Sequence, residues 1–205
     1  LQLYHIYAIG YRLGENAAEL NKIIEKSFSL CNMIKPRNIT KFHVGKQYWY
    51  LQVLLKKHCE QTLLQIPLLK SEEKRLLVQI IVEAVSISEL LDEQEITYNV
   101  MRMLQITLQE GFCAESSIIY MKYAIEVGMQ FENVKQRQFF KRVAIQMVKQ
   151  QSIPIKVMIY KLSSIYHTYW ASNREDALND LRQAQYYAKS QPQYLRSHLL
   201  STQIC

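Results

Sequence analysis

Apolar residues recur every three to four positions along almost the whole chain, and this spacing predicts α-helices throughout. Helical segments of one set begin near Glu72, Ala114, Ile155 and Tyr194. Partner segments begin between them, near Glu93, Glu132 and Arg174. Paired helices that repeat every 40 residues or so, roughly the period seen here, are typical of an α-solenoid. We therefore predict an all-α fold of about ten helices, arranged as stacked antiparallel helical hairpins.

The first third of the chain predicts three helices of uneven length. The first covers Gln2–Leu13 and is stopped by Gly14, and the second covers 16–33, with Asn16 as its cap. Pro36 ends that segment because the residue before a proline avoids the helical region. A third helix is predicted over 38–64, with a possible break near Gly45.

Capping residues mark several of the later helix ends. Ser, Asp and Asn accept hydrogen bonds from the first backbone N–H groups of a helix, proline suits its first turn, and glycine suits the residue after its end. On these grounds we predict N-caps at Ser71, Asp92 and Asn173, a first-turn proline at Pro154, and left-handed C-terminal glycines at Gly111 and Gly128.

Composition and charge refine this picture without changing it. The 205 residues include 5 Gly and 4 Pro, which suits long helices and short turns. The net charge of +7 is concentrated in residues 1–70, with 10 Lys and Arg against 4 Asp and Glu. We therefore divide the chain into basic N-terminal helices, 1–70, continuous with a repeat region, 71–205. The chain begins with Leu1 and ends in an apolar-periodic segment, so we expect a fragment of a longer protein.

The cysteines and the apolar stretches indicate the cellular compartment of the protein and whether it spans a membrane. Four dispersed cysteines without a CxxC pair indicate reduced, mostly buried thiols, and no stretch is long enough to cross a bilayer. We therefore expect a cytoplasmic protein without a membrane span.

Motifs that would indicate catalysis are missing from the sequence. A P-loop needs glycines followed by Lys and Ser or Thr, and a zincin needs two histidines one helical turn apart; neither pattern occurs. Cys59 follows His58 directly, but adjacent helical residues point about 100° apart, which is poor geometry for a nucleophile and its base. We expect no enzyme activity, no catalytic residue, no cofactor and no metal site.

Aromatic and basic side chains are the candidates for binding. Tyr and Trp often anchor interfaces, although most aromatics of a helical array pack between helices. We select as partner-binding candidates the residues Tyr50, Tyr123, Tyr186, Lys41 and Lys46.

Two stretches resemble known helical proteins. Residues 169–184, with Ala177, Leu181 and Ala184, are similar to the second helix of a tetratricopeptide hairpin, while the expected pattern is incomplete around 164–169. A longer resemblance covers about two-thirds of the chain, roughly residues 70–200. It rests on 87–92, 111–117, 120–124, Trp170 and Tyr194.

That longer segment resembles the degenerate tetratricopeptide-like region of large multidomain signalling ATPases, which join STAND/AAA-type ATPase, serine/threonine-kinase-like and sensor domains. The resemblance implies a scaffold or regulatory module that contacts proteins or its own neighbouring domains. It transfers no catalytic residue. Two alternatives remain: a nucleic-acid-associated module that uses the basic N-terminal part, which the dispersed lysines disfavour, and a sensor that holds a small ligand between helices.

Overall fold

A computed structural model describes residues 1–13, 17–85, 92–171 and 174–190. These residues form helices joined by short connections. The helices are α1 (Gln2–Leu13), α2 (Ala17–Leu30), α3 (Lys41–Leu55), α4 (Glu60–Leu64), α5 (Glu72–Val85), α6 (Glu93–Glu110), α7 (Ser116–Phe131), α8 (Val134–Val148), α9 (Ile153–Tyr166) and α10 (Arg174–Lys189). A π-helical turn, His167–Ala171, continues α9. The predicted all-α fold of about ten helices is confirmed.

The predicted starts of the later helices agree with the structure to within two residues. Helices α5, α6 and α10 begin at Glu72, Glu93 and Arg174, as predicted, and α7, α8 and α9 begin at most two residues from the predicted positions. The agreement follows from the capping chemistry. Asp92 Oδ1 accepts hydrogen bonds from the N–H groups of Gln94 and Glu95, at 2.9 and 3.2 Å.

One further cap and the first-turn proline are confirmed, while other predicted helix ends lie outside the described residues. Ser71 Oγ accepts a hydrogen bond from the Lys74 N–H at 3.2 Å, and Pro154 lies in the first turn of α9. Several residues used in the predictions lie outside the described part of the chain: Gly14, Asn16, Asn173, Tyr194 and residues 86–91.

The long third helix was predicted wrongly at one point. The break lies between α3 and α4, at residues 56–59, whereas Gly45 is inside α3. A local motif accounts for the break, because the Cys59 N–H donates to Thr62 Oγ1 at 2.8 Å and opens a new helix there. The prediction of a C-terminal cap at Gly128 is also wrong. Helix α7 continues to Phe131, and Glu132 adopts the positive φ of 50° that follows it.

Gly111 does follow α6, but its conformation is not the left-handed helical one that we predicted. Its φ of 140° and ψ of 170° are those of extended backbone with positive φ. The cause is a short backbone pairing next to it. The Phe112 N–H donates to Pro67 O at 2.7 Å, and the Leu69 N–H donates to Phe112 O at 2.8 Å. Gly111 therefore lies against another segment of backbone, an approach that glycine permits.

The chain forms two compact units, Leu1–Ile119 and Tyr120–Cys205. This division lies within α7. The predicted difference between a basic part, 1–70, and a repeat region, 71–205, concerns sequence character and stays a prediction. None of the helices in the described ranges combines the length and the apolar character needed to span a membrane.

Unit 1 contains two pairs of consecutive helices and three pairings between helices that are not consecutive, namely α1 with α5, α2 with α5, and α3 with α6. Helix α1 packs on α2 and α5, and α5 packs on α6. An ion pair between Lys74, near the start of α5, and Glu110, at the end of α6, shows that these two helices are antiparallel. Helix α3 packs on α6. The core contains large apolar side chains without exposure, among them Leu20, Ile24, Phe28, Leu77 and Met101.

Unit 2 contains helices packed in chain order. Phe140 of α8 contacts Tyr120 and Tyr123 of α7, with ring centroids 5.6 and 4.8 Å apart. Helix α9 packs on α8 and α10. Tyr160, in the middle of α9, stacks on Tyr187, near the end of α10, at 5.9 Å. His167, just after α9, lies 3.9 Å from Asp176 in the first turn of α10, so these helices are antiparallel. The arrangement agrees with helical hairpins, while their stacking into a solenoid stays a prediction.

Candidate functional site

A groove with a volume of ≈ 290 Å³ runs between α3 and α6 in unit 1. We call it the α3–α6 groove. The segment after α2 forms one edge of it with Ile34 and Pro36. The two helices supply the polar and aromatic lining, which consists of His43, Lys46, Gln47, Tyr50, Tyr98, Arg102 and Gln105.

A chain of hydrogen bonds joins the two helices along the groove. Gln47 Nε2 donates to Gln105 Oε1 at 2.9 Å, and Gln105 Nε2 donates to Gln109 Oε1 at 2.8 Å. Gln109 Nε2 in turn donates to the Tyr50 hydroxyl oxygen at 3.0 Å. Residue numbers rise together on both helices, so α3 and α6 run in the same direction. The amide chain fixes the register of the two helices and leaves the Tyr50 hydroxyl hydrogen available to a ligand.

Positive charge on the groove wall comes from Lys46 and Arg102. Arg102 Nη1 donates to Gln105 Oε1 at 2.9 Å, whereas its Nε has no hydrogen-bond partner among the described residues. Burial raises the pKa of the Tyr98 hydroxyl, so Tyr98 stays protonated and neutral. None of the described lining residues is Asp or Glu. The groove therefore suits a negatively charged ligand better than a positively charged one.

His43 connects the groove to the start of α3. The Thr40 N–H donates to His43 Nδ1 at 3.2 Å, and the Thr40 hydroxyl lies 2.9 Å from the same nitrogen. Because Nδ1 accepts these bonds, neutral His43 carries its proton on Nε2, which can donate to a ligand.

Helix α3 is apolar on two faces. One face is buried through Val44 and Leu51. The other exposes Phe42, Trp49 and Val53, whose exposed fractions are 76%, 67% and 41%. These three residues follow a spacing of seven and four, so they form one stripe along the helix. A stripe of large exposed apolar side chains next to a polar groove is typical of a surface that contacts another molecule.

Two of the five predicted partner-binding residues lie in the groove. Tyr50 and Lys46 are one helical turn apart, and both line it. Lys41 is exposed at the start of α3 and does not line the groove. Tyr186 lies on α10 in unit 2, where 70% of it is exposed. The binding roles of these four residues stay predictions.

The prediction that Tyr123 faces a ligand is wrong, because Tyr123 is fully buried. Its hydroxyl donates to Gln136 Oε1 at 3.0 Å, and its ring meets Phe140 edge to face. Packing between helices explains the side chain completely, which is the usual role of an aromatic in a helical array.

The α6 side of the groove was missed by sequence reasoning. Tyr98, Arg102, Gln105 and Gln109 repeat at helical spacing, so they form a polar stripe on α6. Such a stripe can indicate a binding site, but a helix face that is simply exposed to solvent is polar as well. Only the pairing of α3 with α6 distinguishes the two cases, and sequence spacing does not encode that pairing.

The described part of the chain contains no group of three His, Cys, Asp or Glu residues that could hold a metal ion. Comparison with protein-family models, curated proteins and solved structures finds no match to this chain. The resemblance to the helical region of signalling ATPases therefore stays a prediction, and the groove itself is the basis for a functional proposal.

Proposed function

We propose that the chain is a non-catalytic helical interaction module that binds an acidic segment of another protein, or of a neighbouring domain, in the α3–α6 groove. The observation that carries the proposal is the composition of the groove. Lys46 and Arg102 contribute positive charge, Tyr50 and the glutamines contribute hydrogen-bonding groups, and the described lining lacks carboxylates. A segment rich in Asp or Glu would find complementary charge and polar partners there.

The exposed stripe of α3 supplies the apolar part of the surface. Trp49 and Phe42 are large side chains of the kind that act as anchors when a partner covers them. Burying such a side chain contributes about 1.5–3 kcal/mol relative to leaving it in water. We therefore expect a segment in which acidic residues alternate with apolar ones, as on an amphipathic helix.

A protein partner accounts for the charges better than nucleic acid does. Part of the N-terminal positive charge is neutralised within the chain, since Lys35 pairs with Glu95 and Lys22 pairs with Glu19. The remaining lysines are dispersed, whereas nucleic-acid sites concentrate positive charge along a backbone track. The three apolar side chains of α3 also match a protein interface.

The proposal allows two sources for the acidic segment, and one of them gives the module a role in signalling. If the chain belongs to a multidomain ATPase or kinase, the acidic segment is part of a domain next to it, and occupancy of the groove regulates that domain. If it does not, the groove holds a separate protein. In both cases the module acts by binding, and we assign it no reaction.

The test is a titration of the full chain with a labelled amphipathic peptide of about four helical turns, in which Glu alternates with Leu and Phe. A peptide of the same apolar sequence with Lys in place of Glu is the charge-reversed probe. Fluorescence anisotropy gives the affinities, and amide chemical shifts locate the site. We expect a micromolar affinity, on the order of −8 kcal/mol, for the acidic peptide only.

The matched variants are Lys46→Glu in the groove and Lys26→Glu on the exposed part of α2. Both make the same change in net charge. We expect K46E to weaken binding about tenfold or more and K26E to change it little. Equal affinity for both peptides, or equal loss in both variants, would refute the proposal. Tighter binding of a single-stranded oligonucleotide would favour the nucleic-acid alternative instead.

A further inference from the structure

A cavity with a volume of ≈ 490 Å³ lies in unit 2, between α8 and the end of α9. We call it the α8–α9 pocket. Its volume falls within the range of small-molecule sites, about 300–1,000 Å³. A lysine of α8, Lys141, lines it together with Ile145, Tyr166 and His167. The α8–α9 pocket thus places a primary amine beside a space that can hold a small molecule.

Lys141 is held in position by the residues at the end of α9. Its Nζ lies 4.8 Å from the centroid of the Tyr166 ring, within the range of a cation–π contact. The same Nζ lies 2.6 Å from His167 Nε2, and His167 belongs to the π-helical turn that continues α9. These two contacts orient the amine before any ligand arrives, whereas an exposed lysine would lose side-chain entropy on being fixed.

Burial favours the uncharged form of Lys141. It lowers the pKa of the ammonium, although Asp180 and Asp176 act in the opposite direction. At neutral pH a larger share of Lys141 is therefore free amine than in an exposed lysine. Only the free amine has the lone pair that attacks an electrophile, and desolvated lysines are the ones that form Schiff bases.

His167 lies where it can take the proton that Lys141 must lose. Burial and the Lys141 charge lower the pKa of His167, so its ring is neutral near pH 7, and Nε2 accepts a hydrogen bond from the ammonium. When Nε2 gains the proton, the ring becomes positively charged. Asp180 Oδ2, 3.5 Å from Nε2, and Asp176 Oδ2, 3.9 Å from Nδ1, are close enough to stabilise that charge.

We propose that Lys141 is a covalent attachment site, at which the amine forms an imine with a small aldehyde held in the α8–α9 pocket. Ile145 and the Tyr166 ring provide apolar surface for the organic part of the aldehyde. An aldehyde suits this site better than a ketone, because its carbonyl carbon is less hindered in a confined space. The attachment is stoichiometric and belongs to unit 2, so it goes beyond peptide binding in the α3–α6 groove and does not depend on it.

The covalent step uses only the aldehyde and the two side chains. The Lys141 ammonium first passes a proton to His167 Nε2. The free amine then attacks the carbonyl carbon, a C–N bond forms, and a proton moves from nitrogen to the carbonyl oxygen, which gives a neutral carbinolamine. The His167 imidazolium gives its proton to the hydroxyl group, the C–O bond breaks, and water leaves. The products are a protonated imine, neutral His167 and one water, so the charge is conserved and no oxidant or reductant is needed.

The test treats the full chain near pH 7 with benzaldehyde and sodium cyanoborohydride. The hydride reduces the imine to a stable secondary amine, and peptide mass spectrometry gives the initial labelling rate of each lysine. We expect Lys141 to be labelled at least about tenfold faster than Lys135, which is exposed on the same helix, because positioned acid–base groups contribute factors of this size or more. Lys156 is the second control, since it packs on the Tyr187 ring, and it should be labelled about as slowly as Lys135.

His167→Gln tests the proton transfer, because glutamine keeps a polar group but has no titratable ring. We expect the labelling of Lys141 to slow about tenfold or more in H167Q, with the rates of Lys135 and Lys156 unchanged. Guanidinium chloride provides a test that needs no variant. In the unfolded chain the three lysines should be labelled at similar rates, because the pocket and the contact with His167 are lost.

Two results would overturn the proposal: a Lys141 rate equal to that of Lys135 in the folded protein, and a preference for Lys141 that persists in guanidinium chloride. An unchanged Lys141 rate in H167Q would overturn the role of His167 in the proton transfer. Lys141→Arg keeps the positive charge and cannot form an imine, so K141R should lose the fast-labelled site and keep the slow ones. Labelling in unit 2 is measured without the acidic peptide, so its outcome is separate from that of the α3–α6 groove.

Discussion

The Lys122 ammonium lies 3.3 Å from the Glu126 carboxylate one turn later in α7, and both side chains are less than 10% exposed. A buried charge is unfavourable unless its partner stays in place. The pair therefore depends on both members. It constrains which side chains α7 can carry at these two positions, although most of the helix is apolar.

We predict that Lys122→Met and Glu126→Leu each lower the free energy of unfolding by about 3–5 kcal/mol, because each removes the ion-pair partner of a buried charge. The double variant should lose much less, since both charges are then absent. Urea denaturation of the three proteins measures the difference. The control is Lys22→Met, which breaks an exposed pair with Glu19 and should cost less than about 1 kcal/mol. Additive losses in the double variant would contradict the prediction.

Gly111 provides a second test of stability. A Cβ at this position would lie 2.7 Å from both Leu69 Cα and Leu69 N, and the φ of 140° disfavours any side chain. We predict that Gly111→Ala destabilises the protein by at least about 2 kcal/mol. Backbone atoms make the contact, so the neighbouring segment cannot move aside as a flexible side chain would.

The matched control is Gly45→Ala. Gly45 lies inside α3, and a Cβ there would meet no atom within 4 Å. The substitution should stabilise the helix by about 0.5–1 kcal/mol, since alanine restricts the unfolded chain and favours helix. Urea denaturation should show a lower free energy of unfolding for Gly111→Ala and a higher one for Gly45→Ala. A loss of stability in G45A would show that α3 does not continue through Gly45.

Helix positions could be predicted from the sequence because their signals are local. Asp92, Ser71 and Pro154 act on residues within a few positions along the chain, and their roles are the same in the sequence and in the structure. The break after α3 could not be placed from the sequence. The apolar spacing continues through residues 56–59, and the hydrogen bond from the Cys59 N–H to Thr62 Oγ1 has no clear sequence signature. A glycine such as Gly45 looks like a stronger signal and is tolerated inside the helix.

The candidate site could be predicted only in part, because it depends on long-range pairing. Tyr50 and Lys46 share a helix face, so the sequence could group them. Their partners Arg102 and Gln105 come from a helix more than fifty residues further along the chain. Arg102 and Gln105 were missed, whereas Tyr123 was selected wrongly: it was chosen as a contact residue and is buried against Phe140.

The cysteines should differ in their reactivity toward iodoacetamide. Hydrogen bonds from the Thr62 backbone and side chain lower the pKa of Cys59, which is exposed. Burial raises the pKa of Cys113 to about 11, and it also raises the pKa of Cys31. Since the thiolate is the nucleophile, Cys59 should react first near pH 8.

Mass spectrometry of partly alkylated protein measures that order. A Cys205→Ser variant removes the cysteine that lies outside the described residues. Thr62→Val is the matched change at the site, and it should slow alkylation of Cys59 because the side-chain hydrogen bond is lost. Equal rates for Cys59 and Cys113 in folded protein would contradict the burial of Cys113.

The last prediction concerns the pH dependence of unit 2. Burial and the nearby Lys141 charge lower the pKa of His167 in the folded protein below its ordinary value. The unfolded chain then binds more protons than the folded one at pH values just below 6.5. Stability should therefore fall as pH decreases through this window. Comparison with His167→Gln by urea denaturation at two pH values isolates the contribution from those of the other histidines.

The titration of the His167 ring, followed by NMR, identifies the causes separately. Lys141→Met removes a neighbouring positive charge, so the pKa of His167 should rise towards its ordinary value. Asp180→Asn removes a carboxylate that raises this pKa, so the pKa should fall further. Shifts of the same sign in the two variants would contradict the arrangement of Lys141 and Asp180 around the ring. A pKa that stays low in K141M would show that burial alone determines it.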